Sequence, residues 1–240
     1  MTKLAATAGL MMMMTVSACA DQASLDEGTV DETVDESSSA STSSSTVAPS
    51  DWKDDGRVNR SLLDPPLFAG YGPTPSWSWA CRLIDGQPIC YGKGINDRQW
   101  DDPFCEGLDP VHIRLIEKGT SKRVYSRKQA DGRYKAKSRT IDWVTREENN
   151  LPGKPVRAAG DGKWLLENIN LTVPGDLASG TEIHTGPEMR MKSVRTGALL
   201  AEMNGKIKFY PDGSFQIVYG RFDYVTDPEG AFARICAALK

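Results

Sequence analysis

The chain has 240 residues, 39% of them hydrophobic and 25% charged, with a formal net charge of −3. This is enough apolar material for a packed domain, and the composition excludes collagen-like and wholly disordered chains. The charge is unevenly spread: residues 56–240 carry 27 Lys and Arg against 22 Asp and Glu, whereas ten acidic residues lie between Asp21 and Asp55 against the single Lys53. A balance this mild gives no reason to expect a nucleic-acid partner.

Lys3 supplies a short positive segment and Leu4 to Val16 an apolar run that includes Met11 to Met14. A membrane-spanning helix needs about 20 apolar residues, so this run reads as a secretory signal. Val16-Ser17-Ala18-Cys19 follows it directly. These four residues resemble the lipobox of bacterial lipoproteins, an aliphatic residue and two small ones before cysteine. The resemblance implies cleavage before Cys19 and lipidation of its sulfur, with two or three acyl chains (palmitate among them) anchoring the chain firmly. Ala18-Cys19-Ala20 also reads as a cleavage site for ordinary secretion. Cysteine arithmetic separates the two readings: five cysteines are an odd number, and lipidation of Cys19 leaves four to pair.

The expected organisation is a signal peptide over residues 1–18, an acidic tether over 19–55 and one domain over 56–240. Ser37 to Ser45 is almost all Ser and Thr, and the acidic content is high. Such a segment buries too little apolar surface to offset the entropy of ordering it. Its root-mean-square span is roughly 30–35 Å for a flexible chain of this length.

The domain opens with an irregular, Pro- and Gly-rich entry that includes Pro65-Pro66, Gly70, Gly72, Pro73 and Pro75. Trp77-Ser78-Trp79-Ala80-Cys81 then alternates as a strand. Asp85-Gly86 is a two-residue hairpin signal. Counting outward from it pairs Ile84 with Gln87, Leu83 with Pro88, Arg82 with Ile89 and Cys81 with Cys90. Pro88 then needs no N–H partner, and the two cysteines fall at a non-hydrogen-bonded pair with Cα atoms about 4.5 Å apart. The expectation is a Cys81–Cys90 disulfide, leaving Cys105 to bridge to Cys236; four cysteines allow three connectivities in all.

Further strands are expected at Val111–Glu117, Arg123–Lys128 and Arg133–Thr140, the last two flanking Asp131-Gly132. Asp161-Gly162 precedes Trp164-Leu165-Leu166 and an alternating run from Asn168 to Val173. Asn204-Gly205 separates Ala198–Met203 from Lys206–Tyr210, and Pro211-Asp212-Gly213 leads into Phe215–Val225. Short alternating runs between turns predict a mainly β fold of the α+β type, an antiparallel meander forming a sandwich or partly closed barrel. Asp227 as N-cap, Pro228 at the first helical position, and Phe232, Ile235, Cys236 and Leu239 on one face predict a single C-terminal helix.

With these residues placed, residues 77–240 resemble small exported domains of high-GC Gram-positive bacteria. The resemblance rests on the Trp- and Cys-containing hairpin, Cys105 to Asp109, the Asp-Gly turns and the closing Cys236-Ala237-Ala238-Leu239. It implies a location on the outer face of a membrane, and no function follows from it. The basic middle of this chain departs from it.

That middle carries Arg114, Lys118, Lys122, Arg123, Arg127, Lys128, Arg133, Lys135, Lys137 and Arg139 against Glu117 and Asp131. A two-residue turn at Asp131-Gly132 sets Lys128 opposite Lys135; a longer loop sets it opposite Arg133. Like charges across a strand pair are unfavourable unless an anion sits there or the face is fully wet. Arg127, Lys128, Arg133, Lys135, Lys137 and Arg139 are therefore the candidate anion-binding residues, for an anionic envelope polymer, lipid headgroups or the acidic tether. A solvated edge guarded by charge gives the same pattern.

Chemistry is sparse. His112 and His184 are far apart and lack zinc-ligand spacing, and no metal or cofactor is expected. No Gly-x-Ser-x-Gly elbow or phosphate loop is present. Glu167, Glu182, Glu188, Glu202 and Asp223 lie in expected strands, where strand parity alone does not join any two as a carboxylate pair. Trp77, Trp79, Trp100, Trp143 and Trp164 are core candidates, or a carbohydrate platform if exposed and coplanar. The reading is a lipid-anchored protein on the extracytoplasmic face of the cell membrane, its β domain working by binding or structural association. The alternative is an envelope hydrolase using a carboxylate pair or His184.

Overall fold

The computed structural model describes residues 48–69 and 76–240. The leader, Cys19, most of the tether and Gly70, Gly72, Pro73 and Pro75 lie outside the described residues. A 3-10 turn, Arg60–Leu62, leads into β1 (Leu63–Asp64), then β2 (Trp77–Ile84), β3 (Gln87–Asp102), β4 (Val111–Tyr125) and β5 (Tyr134–Asn150). There follow β6 (Ala158–Ile169), a second 3-10 turn (Leu177–Ser179), β7 (Thr181–Ser193), β8 (Leu199–Phe209), β9 (Phe215–Phe222), α1 (Asp223–Thr226) and α2 (Pro228–Leu239). β2 to β9 form one antiparallel meander in chain order, open between its two outer strands, and β1 pairs in parallel with β5.

The first hairpin has the expected register, with Cys81 opposite Cys90. Asp85 and Gly86 both take positive φ, 49° and 78°, as a two-residue turn matching the strand twist requires. Cys81–Cys90 and Cys105–Cys236 are disulfide-bonded, with Cα separations of 4.1 and 5.5 Å. The second bridge spans 131 residues and ties α2 to the β3–β4 connection. α2 is capped as expected, the Asp227 side chain accepting from the Gly230 N–H.

Four elements differ from expectation. Val111–Glu117 and Arg123–Lys128 belong to one strand, β4, which stops at Tyr125. The Asp161-Gly162 and Asn204-Gly205 dipeptides are not turns; they lie inside β6 and β8. A Cβ at Gly162 would overlap the Glu188 carbonyl, and one at Gly205 would overlap the Tyr219 carbonyl. These glycines serve close backbone approach at register shifts rather than chain reversal. The last strand ends at Phe222, and residues 223–226 form α1 instead of continuing to Val225.

Residues 51–55, acidic by composition, pack on the free edge of β2. The Asp55 N–H donates to the Cys81 carbonyl and its carboxylate accepts from the Leu83 N–H, while Arg57 and Arg60 donate to the carbonyls of Leu83 and Trp79. The Trp52 ring lies edge-on to Tyr91 at 4.8 Å, with the Arg82 guanidinium 4.9 Å from its centre. Side-chain bonds that satisfy an exposed strand edge outweigh the disordering effect of local charge.

One face of the sheet is buried in three zones. The entry segment covers Cys81, Cys90, Tyr125 and Ala136. α1 and α2 cover Val111, Ile113, Met191, Ala201 and Ile207. Between them lie Trp77, Trp143 and Trp164 with Ile141 and Leu166. Gly119 makes room for the Trp143 ring, which stands 2.7 Å from where its Cβ would be. Trp77 meets Trp143 edge-on at 5.5 Å, so these tryptophans are packing and not a carbohydrate platform.

In the chain-entropy model the 131-residue bridge constrains the unfolded chain more than the nine-residue one. Replacing Cys105 and Cys236 by Ser should lower unfolding stability by about 2 kcal/mol more than replacing Cys81 and Cys90, measured by urea titration.

Candidate functional site

Strand register brings one polar cluster onto the buried face. Glu182 and His184 lie two apart on β7, side by side on this face. Gly186, at φ 109°, and Pro187 then distort the strand where the β7–β8 register shifts, and Glu188, on the same face by parity, comes within reach of His184. His184 Nδ1 stands 3.0 Å from Glu188 Oε2, and Nε2 stands 2.8 Å from Glu182 Oε1. Trp164 and Phe209 flank the imidazole at 4.8 and 5.2 Å, and the residue is 6% exposed. Asn168 Nδ2 donates to Glu182 Oε2 at 2.9 Å, and Arg139 Nε donates to Asn168 Oδ1 at 2.8 Å. The Thr145 hydroxyl donates to the Glu188 carbonyl and holds the distorted backbone.

Burial by itself disfavours a charged imidazole, but the two carboxylates outweigh it and push the His184 pKa up to about 9. Burial likewise favours the neutral form of Glu182, yet the bonds from His184 and Asn168 hold its carboxyl below the ordinary range. At neutral pH His184 is an imidazolium donating from both nitrogens. It therefore has no lone pair with which to accept a proton, which a general base requires.

The other candidates are dispersed. His112 is on the opposite face, its Nδ1 2.9 Å from Asp101. Glu202 pairs with Arg190 at 3.0 Å. Asp223 is buried, accepting the Glu202 N–H and Arg221 Nε, and so anchors α1 to β8. Glu167 lies on the opposite face from Glu182, and no carboxylate pair stands free of a bonded partner at this cluster. A second buried carboxyl, Glu147, accepts from Asn149 at 2.8 Å, and burial raises its pKa. Nothing in the sequence marked Glu147 or Asn168 as buried, because strand parity alone does not say which face is covered.

The basic run does not form one surface. Arg127 donates to the Asp85 carbonyl, and Lys128 sits in the eight-residue loop between β4 and β5, where the Gln129 N–H donates to the Arg133 carbonyl. Neither expected opposition of Lys128 occurs. Lys135 is held by Asp64 at 2.6 Å and Asp131 at 3.1 Å, with Arg133 3.9 Å from Asp64. Lys137 is exposed at the bulge facing Tyr125. The like-charge pair that does exist is Arg123 opposite Arg139, and both point inward. Arg123 donates to the Pro66 carbonyl and lies over Trp79 at 5.5 Å; Arg139 reaches Asn168 and Glu182.

Among the described residues no group of three or more His, Cys, Asp or Glu is placed to hold a metal ion. Two shallow concavities, about 480 and about 300 Å³, lie around Lys163 on the opposite face; His184, Glu182 and Glu188 line neither. No helix of the described residues is long and apolar enough to cross a membrane. Comparison with protein-family models, curated proteins and solved structures finds no match.

Because the folded pKa of His184 is above the unfolded value of 6.5, its contribution to stability is complete below pH 6.5 and is lost as pH rises to about 9. Unfolding stability should fall across that window, and His184→Gln should flatten the fall in denaturant titrations at stepped pH.

Proposed function

We propose that the chain is a lipid-anchored cell-envelope protein whose β domain works by association rather than catalysis. The observation that carries this reading is the pairing of all four domain cysteines in two disulfides. Such bridges persist in oxidising exterior compartments, and they leave Cys19 as the odd thiol, next to the apolar leader. The internal bonding of His184, Glu182 and Glu188 supports association over the alternative of an envelope hydrolase. A base engaged at both nitrogens beneath two aromatic rings has neither a free lone pair nor a cleft in which to meet a substrate. An open sheet with one solvent-facing side suits docking to an extended anionic partner, whether an envelope polymer or lipid headgroups.

Mass spectrometry of the protein extracted from membranes should show a mature chain beginning at acylated Cys19, and Cys19→Ser should release it to the soluble fraction. Residues 1–18 intact on a soluble protein with four free thiols would overturn the reading.

A further inference from the structure

The same register that buries the His184 cluster assembles a second surface on the opposite face, from residues scattered over 115 positions. Tyr91, Lys93 and Ile95 of β3 lie opposite Lys122, Thr120 and Lys118 of β4. Those three face Thr140, Asp142 and Val144 of β5, which in turn face Glu167, Leu165 and Lys163 of β6. Glu167 and Leu165 face Ile183 and Thr185 of β7, which face Lys208 and Lys206 of β8. Six lysines therefore share one face with two acids, Asp142 and Glu167, over a width of roughly 24 Å at about 4.8 Å per strand.

Lys93, Lys118 and Lys163 are exposed, and these three with Lys206 and Lys208 have no ion pair among the described residues. The neighbouring rows differ, because their charges cancel within the face: Arg114 with Asp97, Arg190 with Glu202 and Arg146 with Glu148. Exposed aliphatic side chains stand between the lysines, Ile95 at 41% and Val144 at 50%. The two concavities found on this face are shallow, so it offers a plane rather than a groove.

The point where the chain enters the domain lies on this face too. Trp52 packs on Tyr91, which shares its row with Lys122, and the Lys122 ammonium is 5.8 Å from the Tyr91 ring centre. The upstream chain that carries Cys19 therefore leaves from the cationic side of the sheet.

We infer that this face, built on Lys93, Lys118, Lys122, Lys163, Lys206 and Lys208, docks the domain on an anionic lipid surface. The inference rests on the membrane-anchored reading for the identity of the surface. Each lysine brought within a Debye length of an anionic leaflet strengthens binding by about fivefold, and apolar side chains among them enter the headgroup layer.

The test uses the full chain with Cys19→Ser, so that binding does not report acylation. Its probes are vesicles of phosphatidylglycerol with phosphatidylcholine, and of phosphatidylcholine alone. Retention on the anionic vesicles should exceed that on neutral ones by at least about tenfold at low salt and decline as salt rises. Lys118→Glu with Lys163→Glu and Lys206→Glu should cut it at least about a hundredfold. Lys128→Glu with Arg133→Glu, at the β4–β5 loop, should leave it within about twofold. If the triple variant fails to fold, Lys93→Glu with Lys118→Glu, both on exposed positions, should give a drop of at least about tenfold.

Equal retention on neutral vesicles, no retention at low salt, or a loss that follows Lys128 and Arg133 would overturn the inference. So would binding to polyglutamate without binding to anionic vesicles. Acylated Cys19 in a chain whose Cys19→Ser form ignores anionic vesicles would remove the docking face and leave the anchored reading intact.

Discussion

Backbone hydrogen-bond register, carried through seven successive antiparallel ladders and shifted at a few bulges, is the constraint on which the rest of this structure depends. A strand alternates its side chains between two faces, so a slip of one residue in any ladder would exchange them. Here that exchange would expose Glu182, His184 and Asn168 and bury Lys118, Lys163 and Lys206. Neither result is tolerable: lysines would be buried without partners, and an imidazolium would lose both carboxylates. The register is thus specified from both sides of the sheet at once.

The buried face is unusual for the amount of charge it holds. Arg139, Glu182, His184 and Glu188 balance two positive against two negative groups, with Asn168 and Thr145 satisfying the remaining bonds. Removing one member of a buried pair typically costs about 3–5 kcal/mol, whereas exposed pairs such as Arg114 with Asp97 are screened by water and contribute little. The cluster therefore weighs more heavily on which fold forms than the longer roll of surface ion pairs. Beyond the Gly186-Pro187 distortion, Glu188 reaches the second imidazole nitrogen.

Among the described residues no second sheet covers this one, and segments at either end of the domain do so instead. Residues 51–69 close the β2 edge and one end of the buried face, and α1 with α2 closes the other. The Cys105–Cys236 bridge holds the second cover in place. The tryptophans fill the middle because Gly92, Gly94 and Gly119 leave their side-chain space to Trp79, Trp77 and Trp143. The opposite face is mostly left to solvent, which is why a charged surface can exist there at little cost in desolvation.

The sequence alone determined those features whose causes are local. The Asp85-Gly86 turn fixes its own hairpin register, and with it the Cys81–Cys90 pairing; Asp227 and Pro228 start α2 by satisfying its first N–H groups. Alternation over short distances was enough for an antiparallel meander. The tertiary structure alone decided everything that depends on which face is covered and where register shifts. Asp161-Gly162 and Asn204-Gly205 read as turns because a dipeptide does not reveal whether its glycine reverses the chain or admits a neighbouring backbone. Arg123 and Arg139 read as part of a solvated basic run, yet they point inward, since parity names two faces and not the buried one. The six lysines of the outer face lie as far as 115 residues apart, and only ladders joined across six strands place them together.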